Sequence, residues 1–188
     1  MTAEELGEAI YEAQIYMETT IEHLEKELTK VRAGKASPAM LSGILVDYYG
    51  SPTPLNQVSN VATPDGRTLS IQPWEKSMIG PIEQSIFAAN LGLTPQNNGE
   101  MIIINVPALT EERRKSLVKQ CKQLGEDAKV SLRSARHKAM DAVKKAVKNG
   151  YSEDAGKRRE DEVQKMTNGF GDKVNQLITA KEKDIMTV

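Results

Sequence analysis

The stretch TEERRKSLVKQCKQLGEDAKVSLRSARHKAMDAVKKAVKNG, residues 110–150, decides the fold. Thr110 is followed by two glutamates, which suits a helix N-terminus, no proline interrupts the stretch, and Asn149-Gly150 is typical of a helix end. At about 1.5 Å per residue, the stretch predicts a single helix of roughly 60 Å. Apolar and small residues recur three or four positions apart, as Leu117, Cys121, Leu124, Ala128, Ser131, Ala135, either Lys138 or Ala139, Ala142 and Ala146.

Two further segments show the same spacing. At the N-terminus, Thr2 and Glu5 have the spacing of a capping box, and near the other end Ser152 is a good N-cap followed by two acidic residues. The apolar positions are Leu6, Ile10, Ala13, Met17, Ile21, Leu24, Leu28 and Val31 in the first segment, and Val163, Met166, Phe170, Val174, Leu177 and Ile185 in the last. Three amphipathic helices of similar length predict a three-helix bundle.

The middle of the chain has a different composition. Most of the prolines lie between residues 31 and 106, where short β-branched or aromatic runs alternate with turn residues. We predict strands at Ile44–Tyr49, Leu69–Gln72 and Met101–Val106, and one helix within residues 79–92. These elements predict a small β/α/β domain.

The order of the elements predicts an α+β protein in which the small domain is inserted into the bundle. The bundle takes residues 1–30 and 107–188, and the inserted domain takes residues 31–106. Two chain crossings therefore join the domains, and such a pair, with few contacts across it, predicts a hinge. The hinge positions are Val31, Ala33, Gly34, Val106 and Pro107.

Charge is unevenly distributed along the chain. The whole chain has a formal net charge of −1. Residues 1–30 carry two lysines against eight glutamates, which is −6, whereas residues 110–149 carry twelve basic residues against five acidic ones, which is +7. This asymmetry indicates a polyanionic partner for the long second helix.

One basic stripe on that helix favours a function. Lys129, Arg133 and Arg136 follow an i, i+4, i+7 spacing, and no acidic residue lies between Asp127 and Asp141. Arginine offers planar, multi-donor contacts to phosphates and exposed bases, which favours RNA as the partner. Two other readings stay open: the stripe is a solvated face, or it pairs with the acidic first helix.

Catalytic and metal signals are thin. The chain has no phosphate-binding glycine loop and no metal or nucleophile motif, so no catalytic residue, metal or cofactor is predicted. Cys121 is expected to be a small buried residue, and Trp74 to pack locally. The single cysteine, the acidic start and the lack of any run approaching about 20 apolar residues predict a cytoplasmic protein without signal peptide or membrane span. The alternatives to RNA binding are a helical protein-interaction module and, less favoured, a hydrolase acting on RNA or nucleotides.

Several motifs together resemble the ribosome recycling factors of bacteria and organelles. The resemblance covers essentially the whole chain, with the motifs in the family's order and spacing. They are LTKVRAGKASPAML at Leu28–Leu41, VDYYGSPTPL at Val46–Leu55, RTLSI at Arg67–Ile71, NLGLTP at Asn90–Pro95, LTEERRKSL at Leu109–Leu117 and DEVQKMT at Asp161–Thr167.

The resemblance implies an L-shaped protein with a long antiparallel three-helix bundle, a smaller β/α/β domain and a flexible hinge. It implies a monomer without an active site that binds the large subunit of the post-termination ribosome through ribosomal RNA. It also implies that elongation factor G is the partner, whose GTP hydrolysis helps to split the ribosomal subunits.

The resemblance also implies particular contact residues. The family's ribosomal RNA contacts fall on Arg133 and Arg136, and its basic positions near the first crossing fall on Arg32 and Lys35. Arg113 and Arg114 match the family pattern, although they also suit a role in the hinge or bundle, while His137 stands where the family has a second basic residue. The predicted RNA-binding set is Lys129, Arg133, Arg136, His137, Arg32, Lys35 and Arg114.

Overall fold

A computed structural model describes residues 2–31 and 34–187 of the chain. The chain divides into two compact units, one of Met1–Ala33 with Glu111–Val188 and the other of Gly34–Thr110. The second boundary lies about four residues beyond the expected one. The reason is local packing: Gly34 and Leu109 belong to the same unit, and a Cβ on Gly34 would lie 2.6 Å from Cγ of Leu109.

The α-helices of both units, within the described residues, are α1 (Ala3–Lys30), α2 (Leu55–Val58), α3 (Ile79–Ala88), α4 (Glu111–Lys148) and α5 (Glu153–Met186). The first unit consists of the three long ones. The bundle consists of α1, α4 and α5, and α4 packs against both of the others. None of the helices in the described part of the chain has the length and apolarity needed to cross a membrane.

The capping signals form as predicted. The N–H of Thr2 donates to Oε2 of Glu5 at 2.7 Å, and the N–H of Glu5 donates to Oγ1 of Thr2 at 3.2 Å, which completes the capping box of α1. The side chain of Ser152 accepts from the N–H of Ala155 and caps α5. All eight predicted apolar positions from Leu6 to Val31 are buried.

The buried face of α4 is wider than predicted. Leu124 and Ser131 are only half-buried, whereas Leu132 and Val143 are buried. A single seam underestimates this face because α4 contacts two helices rather than one. Towards its C-terminal end, small residues of α4 join α1 and α5 in one core cluster: Leu6, Ile10, Ala13, Ala139, Ala142, Val143, Ala146 and Val163.

The second unit contains two antiparallel sheets. The strands are β1 (Leu45–Tyr48), β2 (Ser51–Pro54), β3 (Ser59–Asp65), β4 (Thr68–Pro73), β5 (Pro95–Asn97) and β6 (Ile102–Asn105). β1 pairs with β2, and the larger sheet has the order β3-β4-β6-β5. The helix α3 contacts β1, and buried side chains from the strands and α3 form one core.

The three predicted strands and the helix are present, but β2, β3 and β5 were not predicted. Each of these three contains proline and lies at the edge of a sheet, where the missing N–H costs no ladder hydrogen bond.

The expectation that Trp74 packs locally was wrong: its side chain is 67% exposed. It follows β4, where the chain leaves the sheet.

Candidate nucleic-acid interface

The predicted basic stripe faces a groove between α4 and α5. Lys129, Leu132 and Arg133 of α4 line one wall, and the α5 wall consists of Thr167, Asn168, Gly171, Asp172 and Asn175. We call Lys129, Arg133 and Arg136, together with the α5 side chains opposite them, the α4–α5 flank. Its polar side chains are mostly cations and amides, with Asp172 as the carboxylate in the groove.

Arg136 is held in place by α5. Its Nε donates to Oε1 of Gln164 at 2.7 Å, and Nε2 of Gln164 donates in turn to Oδ1 of Asn168 at 2.8 Å. This relay fixes the plane of the guanidinium through one of its five N–H groups. The two terminal nitrogens make no hydrogen bond to another described residue, so they remain available to an external acceptor.

The other two members of the stripe are held weakly or not at all. Arg133 is exposed and makes no hydrogen bond or ion pair within residues 2–31 and 34–187. Nζ of Lys129 lies 3.7 Å from Oε1 of Glu126, and its side chain is 38% exposed. Exposed pairs of this kind contribute up to about 1 kcal/mol, so a phosphate can displace Glu126 at little cost.

The acidic first helix does not neutralise the stripe. Lys129 pairs with Glu126 of its own helix, and Arg136 bonds to the neutral amide of Gln164 on α5. Within residues 2–31 and 34–187, no member of the stripe makes an ion pair with a carboxylate of α1. This finding counts against the reading in which the basic face of α4 exists to pair with α1. The stripe therefore keeps its charge for solvent or for a partner.

The opposite side of α4 has a different lining. Two grooves run between α1 and α4, and Tyr16 of α1 borders both. We call this side the α1–α4 flank. Its polar side chains are mostly hydroxyls and carboxylates: Glu12, Thr19, Thr20, Glu27, Asp127, Ser131 and Ser134, with His23 and Lys138.

Two other predicted contacts lie in the bundle. His137 is 77% exposed, and its Nε2 lies 3.4 Å from Oδ2 of Asp141. Arg114 has a structural position instead, because its Nη1 lies 3.5 Å from the carbonyl oxygen of Met186, near the end of α5. Its Nε is buried without a hydrogen-bond partner among the described residues. Arg114 therefore contacts the end of α5, and its contact with RNA stays a prediction.

The remaining predicted positions lie at or near the two crossings. Arg32 and Ala33 lie outside the described residues, and Lys35 is exposed in the second unit. The other hinge positions have definite local structure. Val31 is buried at the end of α1, Gly34 has φ +74°, the N–H of Val106 donates to the carbonyl oxygen of Arg67 at 2.7 Å, and Pro107 is exposed.

Sequence reasoning missed Gln164 and Asn168. The pattern on α5 identified apolar positions only, and nothing in a single sequence says which polar residue comes opposite Arg136.

In the described part of the chain, no cluster of histidine, cysteine, aspartate or glutamate is arranged to hold a metal ion. Cys121 is buried as expected, and burial raises the pKa of its thiol.

These observations define an α+β protein whose long-helix bundle carries a cationic flank and an inserted unit of small antiparallel sheets. The family model "Ribosome recycling factor" matches residues 24–186. The ribosome-recycling factor of Christiangramia forsetii is 58% identical over 177 residues, covering 94% of this chain and 95% of its own. That of Porphyromonas gingivalis is 51% identical over 185 residues, covering 98% and 100%. The chain belongs to the ribosome recycling factor family.

Solved structures agree with this assignment. A solution structure of the ribosome recycling factor has 35% sequence identity and a TM-score of 0.79, with both chains fully covered. A second neighbour comes from models of the T. thermophilus ribosome recycling factor and the E. coli elongation factor G bound to the E. coli post-termination complex. It is 42% identical with a TM-score of 0.63, again with both chains fully covered.

Proposed function

We propose that this protein recycles ribosomes after translation termination. It binds the large subunit of the post-termination ribosome and, with elongation factor G and GTP, promotes subunit splitting and release of mRNA and tRNA. Family membership supports this proposal, as does the structural neighbour that is bound, together with elongation factor G, to a post-termination complex. We further propose that it acts in the cytoplasm, where the ribosome is found, and that it is a monomer.

The α4–α5 flank is the proposed contact with ribosomal RNA. The observation that carries this proposal is the state of the two arginines: Arg133 has no partner among the described residues, and Arg136 is fixed by Gln164 with its terminal nitrogens available. A guanidinium held in one plane suits the geometry of a phosphate, which it binds through two parallel hydrogen bonds. Lys129 adds a cation on the same groove, and the exposed His137 is a further proposed contact on α4.

Lys35 and Arg32 are proposed as further RNA contacts near the first crossing, and Arg114 is left out because it lies against the end of α5. We propose that the protein has no active site of its own and that elongation factor G supplies the GTP hydrolysis. The predicted crossings form the proposed hinge, with its second segment extended to Thr110, the last residue of the second unit.

Subunit splitting on post-termination ribosomes tests the function directly. The assay follows light scattering with the protein alone, with elongation factor G and GTP alone, and with all components together. We expect splitting only in the complete mixture. Equal splitting without this protein, or by this protein without the factor and GTP, would contradict the proposal.

A further inference from the structure

Two strongly exposed aromatic side chains lie in the second unit, and neither is assigned to RNA. The side chain of Tyr49 is 76% exposed and that of Trp74 is 67% exposed. Large aromatic side chains at this exposure are uncommon, because burying each would remove considerable apolar surface from water. Their exposure leaves both rings available to a partner.

Tyr49 lies in the tight turn between β1 and β2. Tyr49 has φ +49° and Gly50 has φ +84°, so the turn between β1 and β2 places a tyrosine in the left-handed region. Oδ1 of Asp47 accepts from the N–H of Gly50 at 2.8 Å and stabilises this turn. A non-glycine residue in this conformation carries a conformational cost, so glycine would fit this position of the turn with less strain than tyrosine.

Glu75 lies directly after Trp74 in the chain and bonds to both tyrosines. Oη of Tyr48 donates to one carboxylate oxygen at 3.0 Å, and Oη of Tyr49 donates to the other at 2.8 Å. The rings of Tyr48 and Tyr49 meet edge to face with centroids 4.7 Å apart. The carboxylate is thus oriented by both of its oxygens, and each oxygen retains capacity to accept a second hydrogen bond.

We propose that Tyr49 and Glu75 form a docking site for an arginine side chain of a protein partner. A guanidinium donates two parallel hydrogen bonds to a carboxylate and also stacks on aromatic rings, so one arginine suits both Glu75 and the ring of Tyr49, which is bonded to it. Lysine matches less well because its ammonium is a point charge without a planar face.

The charge of the unit supports a cationic partner rather than RNA. Residues 34–110 contain three basic and five acidic side chains, a net charge of −2. Glu75 bonds to Tyr49, and Asp47 stabilises the turn that carries Tyr49. Phosphates would meet two carboxylates there, whereas an arginine of a protein segment meets complementary charge. This proposal does not rest on the RNA contact proposed for the bundle.

Trp74 is the only tryptophan of the chain and directly precedes Glu75, so the tryptophan fluorescence of the full-length protein is a probe of binding at Glu75. The probe is a capped Gly-Arg-Gly peptide, and the matched control is the same peptide with citrulline, which has the shape of arginine without its charge. We expect a saturable change of Trp74 fluorescence with the arginine peptide in the millimolar range. Affinity for the citrulline peptide should be about tenfold weaker, the difference expected for a charge-assisted hydrogen bond.

Three variants test the residues. Glu75→Gln should weaken the arginine peptide about tenfold, while Glu100→Gln, a change at an exposed carboxylate of the same unit, should leave its affinity within about twofold. Tyr49→Gly removes the ring and suits the positive φ, so it should fold normally and weaken binding about fivefold. Circular dichroism checks that each variant is folded.

The pKa of Tyr48 offers a second readout. Its hydrogen bond to Glu75 and the charge of that carboxylate raise the pKa of Tyr48, so a bound guanidinium should lower it. Because the chain has five tyrosines, the difference in tyrosinate absorbance between the wild type and Tyr48→Phe measures this shift. Equal binding of the arginine and citrulline peptides would overturn the proposal. So would unchanged affinity in folded Glu75→Gln, or stronger quenching of Trp74 by an oligouridylate than by the arginine peptide.

Discussion

The two flanks of α4 differ although they belong to one helix. The α4–α5 flank presents Lys129, Arg133 and Arg136 beside the amides of α5, whereas the α1–α4 flank presents hydroxyls and carboxylates beside Tyr16. The net charge of +7 over residues 110–149 conceals this difference, because it averages around the helix. The position of each charge relative to the neighbouring helices decides which cations a polyanion can reach.

Packing differs between the flanks as well. On the α5 side, a Cβ placed on Gly125 would lie 2.8 Å from Cγ1 of Ile178, so the two helices approach closely there. On the α1 side, Ser131 borders an open groove. The same leucine should therefore have opposite consequences at these two positions of α4.

Gly125→Leu is expected to have the largest effect. It should lower the free energy of unfolding by about 3 kcal/mol, the upper end of the cost of overpacking, since leucine's better helix propensity offsets less than about 1 kcal/mol. Ser131→Leu, the matched change on the α1–α4 flank, should alter it by less than about 0.5 kcal/mol. Urea unfolding followed by circular dichroism measures both. Equal destabilisation by the two leucines would show that the flanks are packed alike.

Charge reversal separates the flanks by function. Arg133→Glu should weaken binding to large ribosomal subunits about 30-fold, which corresponds to about 2 kcal/mol for a lost charge-assisted contact. Lys138→Glu makes the same change of charge on the α1–α4 flank and should change affinity no more than about twofold at physiological salt, where charges beyond about 8 Å are screened.

Filter binding or sedimentation at fixed salt measures both variants, with thermal unfolding to confirm that they are folded. The neutral variant Arg133→Ala should also reduce the slope of log affinity against log salt by about one, because one phosphate contact fewer releases counterions. If Lys138→Glu weakened binding as much as Arg133→Glu, the net charge of the helix rather than the α4–α5 flank would carry the interaction.

The sequence predicts the long helices well because their signals are local. A capping box at Thr2, an uninterrupted run from Thr110 and a seam of three-and-four spacing each lie within one segment, and the structure confirms them. The stripe of Lys129, Arg133 and Arg136 was predicted for the same reason, since helical spacing places these residues on one side of α4. Their contact with RNA remains a prediction.

The parts that sequence reasoning missed depend on contacts between distant segments. Leu132 is buried because a second helix lies against α4, which no seam on α4 alone reveals. The strands β2, β3 and β5 contain prolines that suggest loops, and only their edge positions in the sheets make those prolines acceptable. The exposure of Trp74 has the same origin, because it follows from where β4 leaves the sheet.

The smallest expected effect concerns Gln164, which holds Arg136 at 2.7 Å without belonging to the stripe. Gln164→Ala should weaken binding to large subunits about fivefold, close to about 1 kcal/mol, because ordering a free arginine on binding costs that much. Gln176→Ala, at an exposed glutamine of the same helix, is the matched control and should leave affinity unchanged.

The measurement that shows how Gln164 acts is a double-mutant cycle with Arg136→Ala. If Gln164 acts by orienting Arg136, then Gln164→Ala should add no loss once Arg136 is already alanine. An additive loss would mean that Gln164 contacts the RNA itself, and the α4–α5 flank would then include a direct contact from α5.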